Sequence, residues 1–186
     1  MSAPSARDIA AELRLRLPDL GSKKLHKLLY YCQGYHLAAF GSPLFSETVS
    51  AWDMGPVVGV LWRRERDEGL SVVGLDLPEG ALNTIGYVVS RYGSLNGAEL
   101  ERLTHNEPPW QEADRKRRSG TSAPISLVTM RDYFASASVE ESDGAMPILD
   151  AEVTSQWLDA VNRQRRDAEA QVDNPDDLLR WLAAVG

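Results

Sequence analysis

The chain has 186 residues, 43% of them hydrophobic and 25% charged, which is the make-up of an ordinary globular domain able to bury roughly two-thirds of its unfolded surface. A single cysteine, Cys32, excludes an intrachain disulfide, and with only His26, His36 and His105 a zinc cluster is improbable. The net charge of −7 is uneven: residues 1–134 carry 16 basic and 16 acidic side chains, residues 135–186 carry 4 and 11, so the imbalance sits in the last quarter. Such a segment repels phosphate and attracts basic proteins, or simply keeps the chain soluble.

In chain order, residues 5–17 predict a short amphipathic helix with Ile9, Leu13 and Leu17 on one side and Pro18 after it. Ser22 is placed to cap a second helix, along which Leu25, Leu28, Leu29, Cys32, His36 and Ala39 recur with helical spacing up to Gly41. Residues 44–52 alternate and predict one strand, or two pinched around Glu47–Thr48. Gly55-Pro56 predicts a helix start, with Val57, Val60 and Leu61 facing inward and Arg63, Arg64 and Arg66 outward. Residues 70–77 would supply a partner strand. A helix over 79–92 follows, with Leu82, Ile85, Val89 and Tyr92 as its stripe.

Asn96 and Glu99 form a capping-box pattern, with Leu95 and Leu100 at staple spacing, for a helix ending near His105. Pro108-Pro109-Trp110 opens a short helix running into Arg115–Arg118, and Ser126 caps another that bears Leu127, Met130, Tyr133 and Phe134. Residues 136–150 then predict a linker. Two further amphipathic helices follow, one with Val153, Trp157 and Val161 on a face, the other with Leu178, Trp181, Leu182 and Val185. The fold class expected is mainly α, a compact multi-helix domain over 1–135 with a small hairpin or short sheet, plus a helical appendage over 151–186.

Chemistry-bearing motifs are scarce. There is no Gly-rich phosphate loop, nucleophile elbow or zinc-protease helix. Cys32 lies mid-helix on an apolar face; a Cys32–His36 dyad or a His105–Glu107 acid–base pair is formally available, but a hydrolase is the weakest reading. Lys23-Lys24 with Lys27, and Arg115–Arg118, read as solvated faces rather than nucleic-acid sites. Trp52 and Trp110 read as core. Trp157 and Trp181 are candidate anchors for a partner, since tryptophan is favoured at binding hot spots.

Four stretches in order resemble one family: KLHKLLYYCQGYHLAAFGSPLF (24–45), SAWDMGPVVGVLW (50–62), LNGAELERLTHNEPPWQEA (95–113) and ISLVTMRDYF (125–134). Together they resemble the Panacea, or SocA-like, antitoxin domain, also met in phage-associated proteins. The motif residues are Leu25, Leu28, Leu29, Tyr30, Gly34, Trp52, Gly55, Pro56, Leu103, Thr104, His105, Pro109 and Trp110. The resemblance implies a helical, non-enzymatic antitoxin without cofactor, paired with a cognate protein toxin; delivery of the toxin to a protease, or DNA-binding regulation, are the alternatives. It gives these residues fold-determining roles. Toxin contact is expected instead from the acidic segment, through Val153, Trp157, Val161, Leu178, Trp181 and Leu182. The missing secretory signal and membrane span make the cytoplasm the expected place.

Overall fold

The computed structural model describes residues 4–68, 77–118 and 120–141. Among them the chain is mainly α, with one small antiparallel sheet. Helix α1 (Ala6–Arg16) starts at a reciprocal capping box. The Ser5 hydroxyl accepts from the Asp8 N–H at 3.3 Å, and the Ser5 N–H donates to the Asp8 carboxylate at 2.8 Å. Its Ile9 and Leu13 are fully buried, as their spacing predicts.

Helix α2 (Ser22–Phe40) is the centre of the domain. Gly21, not Ser22, occupies the cap position, and it offers no side-chain hydrogen bond; Ser22 is already helical. Residues 25–35 are buried without a break, so this helix is enclosed on all sides rather than amphipathic. Ala39, expected to face inward, is exposed. Gly41 ends the helix at φ 69°, with its N–H donating to the Leu37 carbonyl at 2.9 Å.

Residues 44–48 are not a strand. The backbone groups that would enter a ladder are taken by one side chain: Gln33 Oε1 accepts from the N–H of Leu44 and Phe45 at 2.9 and 3.2 Å, and Gln33 Nε2 donates to the Phe45 carbonyl at 3.0 Å. Only β1 (Val49–Trp52) is extended, and it pairs with β2 (Gly55–Val58) through a turn at Asp53-Met54. The Gly55-Pro56 pair therefore starts a strand, not a helix. Gly55 sits at φ 96°, which favours glycine, and Pro56 lies opposite Ala51 on an edge strand, where a missing N–H is tolerated. Helix α3 (Gly59–Glu68) begins only afterwards, with Leu61 buried but Val60, expected in the core, 48% exposed.

The third strand of the sheet is β3 (Ala123–Pro124), on the other side of β1. Of the 70–77 stretch expected there, residues 70–76 lie outside the described residues. Helix α4 (Glu79–Tyr92) packs on α2 and α1; Ala81, Ile85, Val88 and Tyr92 are its buried line, while Leu82 and Val89 are only partly covered. Helix α5 (Gly97–His105) has the expected box: Asn96 Oδ1 accepts from the Ala98 and Glu99 N–H at 2.9 and 3.0 Å, and the Asn96 N–H donates to Glu99 Oε2 at 2.7 Å. Helix α6 (Pro108–Lys116) follows with proline in its first turn. Helix α7 (Leu127–Glu141) starts where Ser126 Oγ accepts from the Thr129 N–H at 3.3 Å, and it runs past residue 135. Met130 and Phe134 are buried, but Leu127 is 44% exposed. The rest of the expected linker and both expected C-terminal helices lie outside the described residues.

Candidate functional site

The motif segments meet where α2, the β1–β2 hairpin, α5 and α6 converge. Two tyrosines of α2 close on a carboxylate that precedes α6: the Tyr30 hydroxyl donates to Glu107 Oε2 at 2.7 Å and the Tyr31 hydroxyl to Oε1 at 2.9 Å. Burial raises the Glu107 carboxyl to about 7, although the two tyrosine hydrogen bonds oppose the rise. Burial, then the Glu107 charge, pushes both tyrosines well above their ordinary value. Around them Tyr31 stacks on Tyr92 at 4.0 Å, and the Phe134 ring meets Tyr30 edge-on at 5.5 Å. The Glu107 carboxylate thus turns to the tyrosines rather than to His105.

One turn earlier on α2, Lys27 is 1% exposed, not part of a solvated face. Its ammonium makes one long hydrogen bond, to the Pro56 carbonyl at 3.4 Å. A Cβ on Gly55 would lie 2.8 Å from Lys27 Cε and 3.1 Å from Thr104 Oγ1, so the hairpin backbone closes directly over the lysine. Burial lowers Lys27 to about 8, with Glu101 opposing; Glu101 itself is bonded to Lys23 at 2.6 Å. The neighbouring His26 accepts at Nδ1 from the Val58 N–H at 3.4 Å, and burial, with Lys27 and Arg14, lowers it to about 4. Its ring is neutral near pH 7. The His105 and Trp110 rings stack at 4.0 Å.

This arrangement ties α2 to the start of α6 through hydrogen bonds. Burial raises the Cys32 thiol far from the thiolate range. His36, its supposed partner, bonds Thr84 Oγ1 at 3.0 Å and lies against Phe40. In the second basic cluster, Arg117 is tied to Asp114 at 2.6 Å and to Asp53.

Of the motif residues, Leu25, Leu28, Leu29, Tyr30 and Thr104 are fully buried, and Pro56, Pro109 and Trp110 are buried. Gly34 is where a Cβ would overlap the Phe134 ring. Leu103 is 42% exposed. Trp52 is half-buried rather than core; its ring meets Trp62 at 5.4 Å on the outside of the hairpin. Val153, Trp157, Val161, Leu178, Trp181 and Leu182 lie outside the described residues. Lys27 and Glu107 went unrecognised as buried polar centres. The signal for Lys27 was the unbroken Leu-Leu-Tyr-Tyr-Cys run beside it, which leaves no polar side to the helix.

Residues 25–111 match the family model described as antitoxin SocA-like, Panacea domain. Over these residues the chain is similar to the Panacea domain. No curated protein and no solved structure matches the chain. The match spans α2 to the first half of α6. Outside it, Ile9 and Leu13 of α1 and Phe134 of α7 complete the same hydrophobic core, so the matched segment is packed by elements beyond it. No helix among the described residues is long and apolar enough to cross a membrane.

Proposed function

We propose that this protein is an antitoxin that neutralises a cognate protein toxin by direct binding. The Panacea match over residues 25–111 carries the reading, since that domain is antitoxin-like. The site supports it: the polar centres Glu107 and Lys27 are consumed by packing, and the lone thiol is held in the protonated form by burial. Binding, not turnover, suits such a scaffold. The acidic segment beyond the Panacea domain is the proposed toxin contact. Its charge would steer a basic surface towards the chain, and Trp157 and Trp181 would anchor it.

The test is co-expression with the open reading frame adjacent to the gene. That product alone should arrest growth, and the full chain should restore growth and co-purify with it. Trp157→Ala with Trp181→Ala should weaken the complex on the order of 10- to 100-fold. Full neutralisation by that double variant removes the proposed contact while leaving the antitoxin reading; arrest unrelieved by the wild-type chain removes the reading itself. Stable toxin levels during rescue would count against delivery to a protease.

A further inference from the structure

Asn96 and Gly97 stand side by side at the start of α5 because the fold makes a separate demand of each. Asn96 must cap: its Oδ1 accepts from the Ala98 and Glu99 N–H groups, and its own N–H donates to the Glu99 carboxylate. Residue 97 must be small: a Cβ there would lie 3.1 Å from Lys23 Cδ and 3.2 Å from Lys23 Cγ, and Lys23 is tied to Glu101 at 2.6 Å. Together they make an Asn-Gly pair, with Asn96 exposed. The other asparagines of the sequence precede Thr84, Glu107, Arg163 and Pro175, so Asn96 is the one that glycine follows. The glycine matters chemically, because no Cβ hinders its nitrogen from reaching the side-chain amide carbon of the residue before it.

We infer that Asn96 is a deamidation site whose reaction is gated by the first turn of α5. The Gly97 nitrogen attacks Asn96 Cγ, and the new C–N bond closes a five-membered imide. The Cγ–Nδ2 bond breaks, and Nδ2 leaves as ammonia with the Gly97 proton. Water then opens the ring. Addition at Cγ gives aspartate. Addition at the main-chain carbonyl carbon gives isoaspartate, in which the chain runs through the former side chain and is one methylene longer. The site owes nothing to the antitoxin reading.

The folded turn opposes ring closure. The imide needs Cβ and the Gly97 nitrogen eclipsed about the Asn96 Cα–C bond, whereas a ψ of 171° holds them staggered. Turning that bond swings the Asn96 carbonyl away from the Leu100 N–H, from which it accepts at 3.1 Å. Asn96 Oδ1 must also leave the N–H groups of Ala98 and Glu99. Ring closure therefore waits for the first turn of α5 to open. The two products then part ways. Aspartate keeps a capping oxygen at the positive end of the helix. Isoaspartate changes the backbone spacing, so the opened turn cannot be capped as before. Leu100, fully buried, and Glu101, bonded to Lys23, lie in the next turn, so the loss reaches the packing of α5 on α2.

The test incubates the full chain at mildly alkaline pH and follows the tryptic peptide 92–102, which contains no other amide side chain, by mass spectrometry. In guanidinium chloride this peptide should convert to its aspartyl and isoaspartyl forms. In native buffer the conversion should be slower on the order of 10-fold or more, because the turn is closed. Glu99→Ala removes the reciprocal bond of the capping box and should speed conversion in native buffer about 3- to 10-fold, with the rate in denaturant unchanged. Aged protein enriched in isoaspartate should melt about 2–8 °C below fresh protein, whereas Asn96→Asp should melt within about 2 °C of it. A peptide that keeps its amide in denaturant overturns the site. Equal rates in native buffer and in denaturant, or a Glu99→Ala chain that converts no faster than wild type, overturn the gating.

Discussion

Two buried groups in this domain titrate over nearly the same pH range in opposite senses. Glu107 has its folded pKa raised from 4.5 to about 7, so its contribution to stability is present below 4.5 and is lost as pH rises through 7. His26 has its folded pKa lowered from 6.5 to about 4, so its contribution is present above 6.5 and is lost as pH falls towards 4. Each shift corresponds to about 3 kcal/mol. Between pH 4.5 and 6.5 the two slopes largely cancel. Glu107→Gln removes one of them, and the variant should become acid-labile. Relative to wild type it should lose about 3 kcal/mol between pH 7 and 4.5, because the gain from protonating Glu107 is gone and the cost of charging His26 remains. Urea unfolding followed by far-ultraviolet circular dichroism at pH 7, 6, 5 and 4.5 measures this. Other carboxylates titrate alike in both proteins and drop out of the difference. Parallel stability curves for the two proteins would refute the assignment of a buried, proton-binding carboxyl at position 107.

Lys27→Met should stabilise the domain by about 1–4 kcal/mol at pH 7, since an ammonium with one long hydrogen bond is replaced by an apolar chain of similar length. Because the folded pKa of Lys27 is lowered from 10.5 to about 8, wild-type stability should rise relative to the variant between pH 8 and 10.5; a gap constant across that window would contradict the burial of a charged amine. Gly34→Ala should cost about 1–3 kcal/mol through overlap with Phe134, against about 1 kcal/mol gained in helix propensity. A higher melting temperature for Gly34→Ala would show that α7 is not seated where Phe134 places it.

Local signals that act within a few residues were legible in the sequence. The Asn96/Glu99 box, the proline-led α6, Ser126 at the start of α7 and Gly41 at the end of α2 appear where backbone chemistry demands them. The errors share another cause, which is that the deciding partner is distant in the chain. Residues 44 and 45 alternate like a strand, yet Gln33 from α2 takes their backbone groups. Gly55-Pro56 has the local chemistry of a helix start, yet pairing with Ala51 and Trp52 makes it an edge strand. Lys27 carries a charge, and only the hairpin closing over it reveals that it is inside. The apolar periodicity of α2 understated its burial, because a period describes one face and this helix is covered on every face.

That enclosure bears on where recognition can occur. Leu25, Leu28, Leu29 and Tyr30 are fully buried, and Gly34 has no room for a side chain. No partner can touch them without unfolding α2, so substitutions there should be read as lost stability. Trp52 and Leu103 are motif residues that escape this rule: the Trp52 ring stands half outside beside Trp62, and Leu103 is exposed on α5. Folding and recognition should therefore separate on two axes: substitutions at the buried positions of α2 should lower the melting temperature, and substitutions that change toxin affinity with the melting temperature unchanged should fall on surface residues outside it.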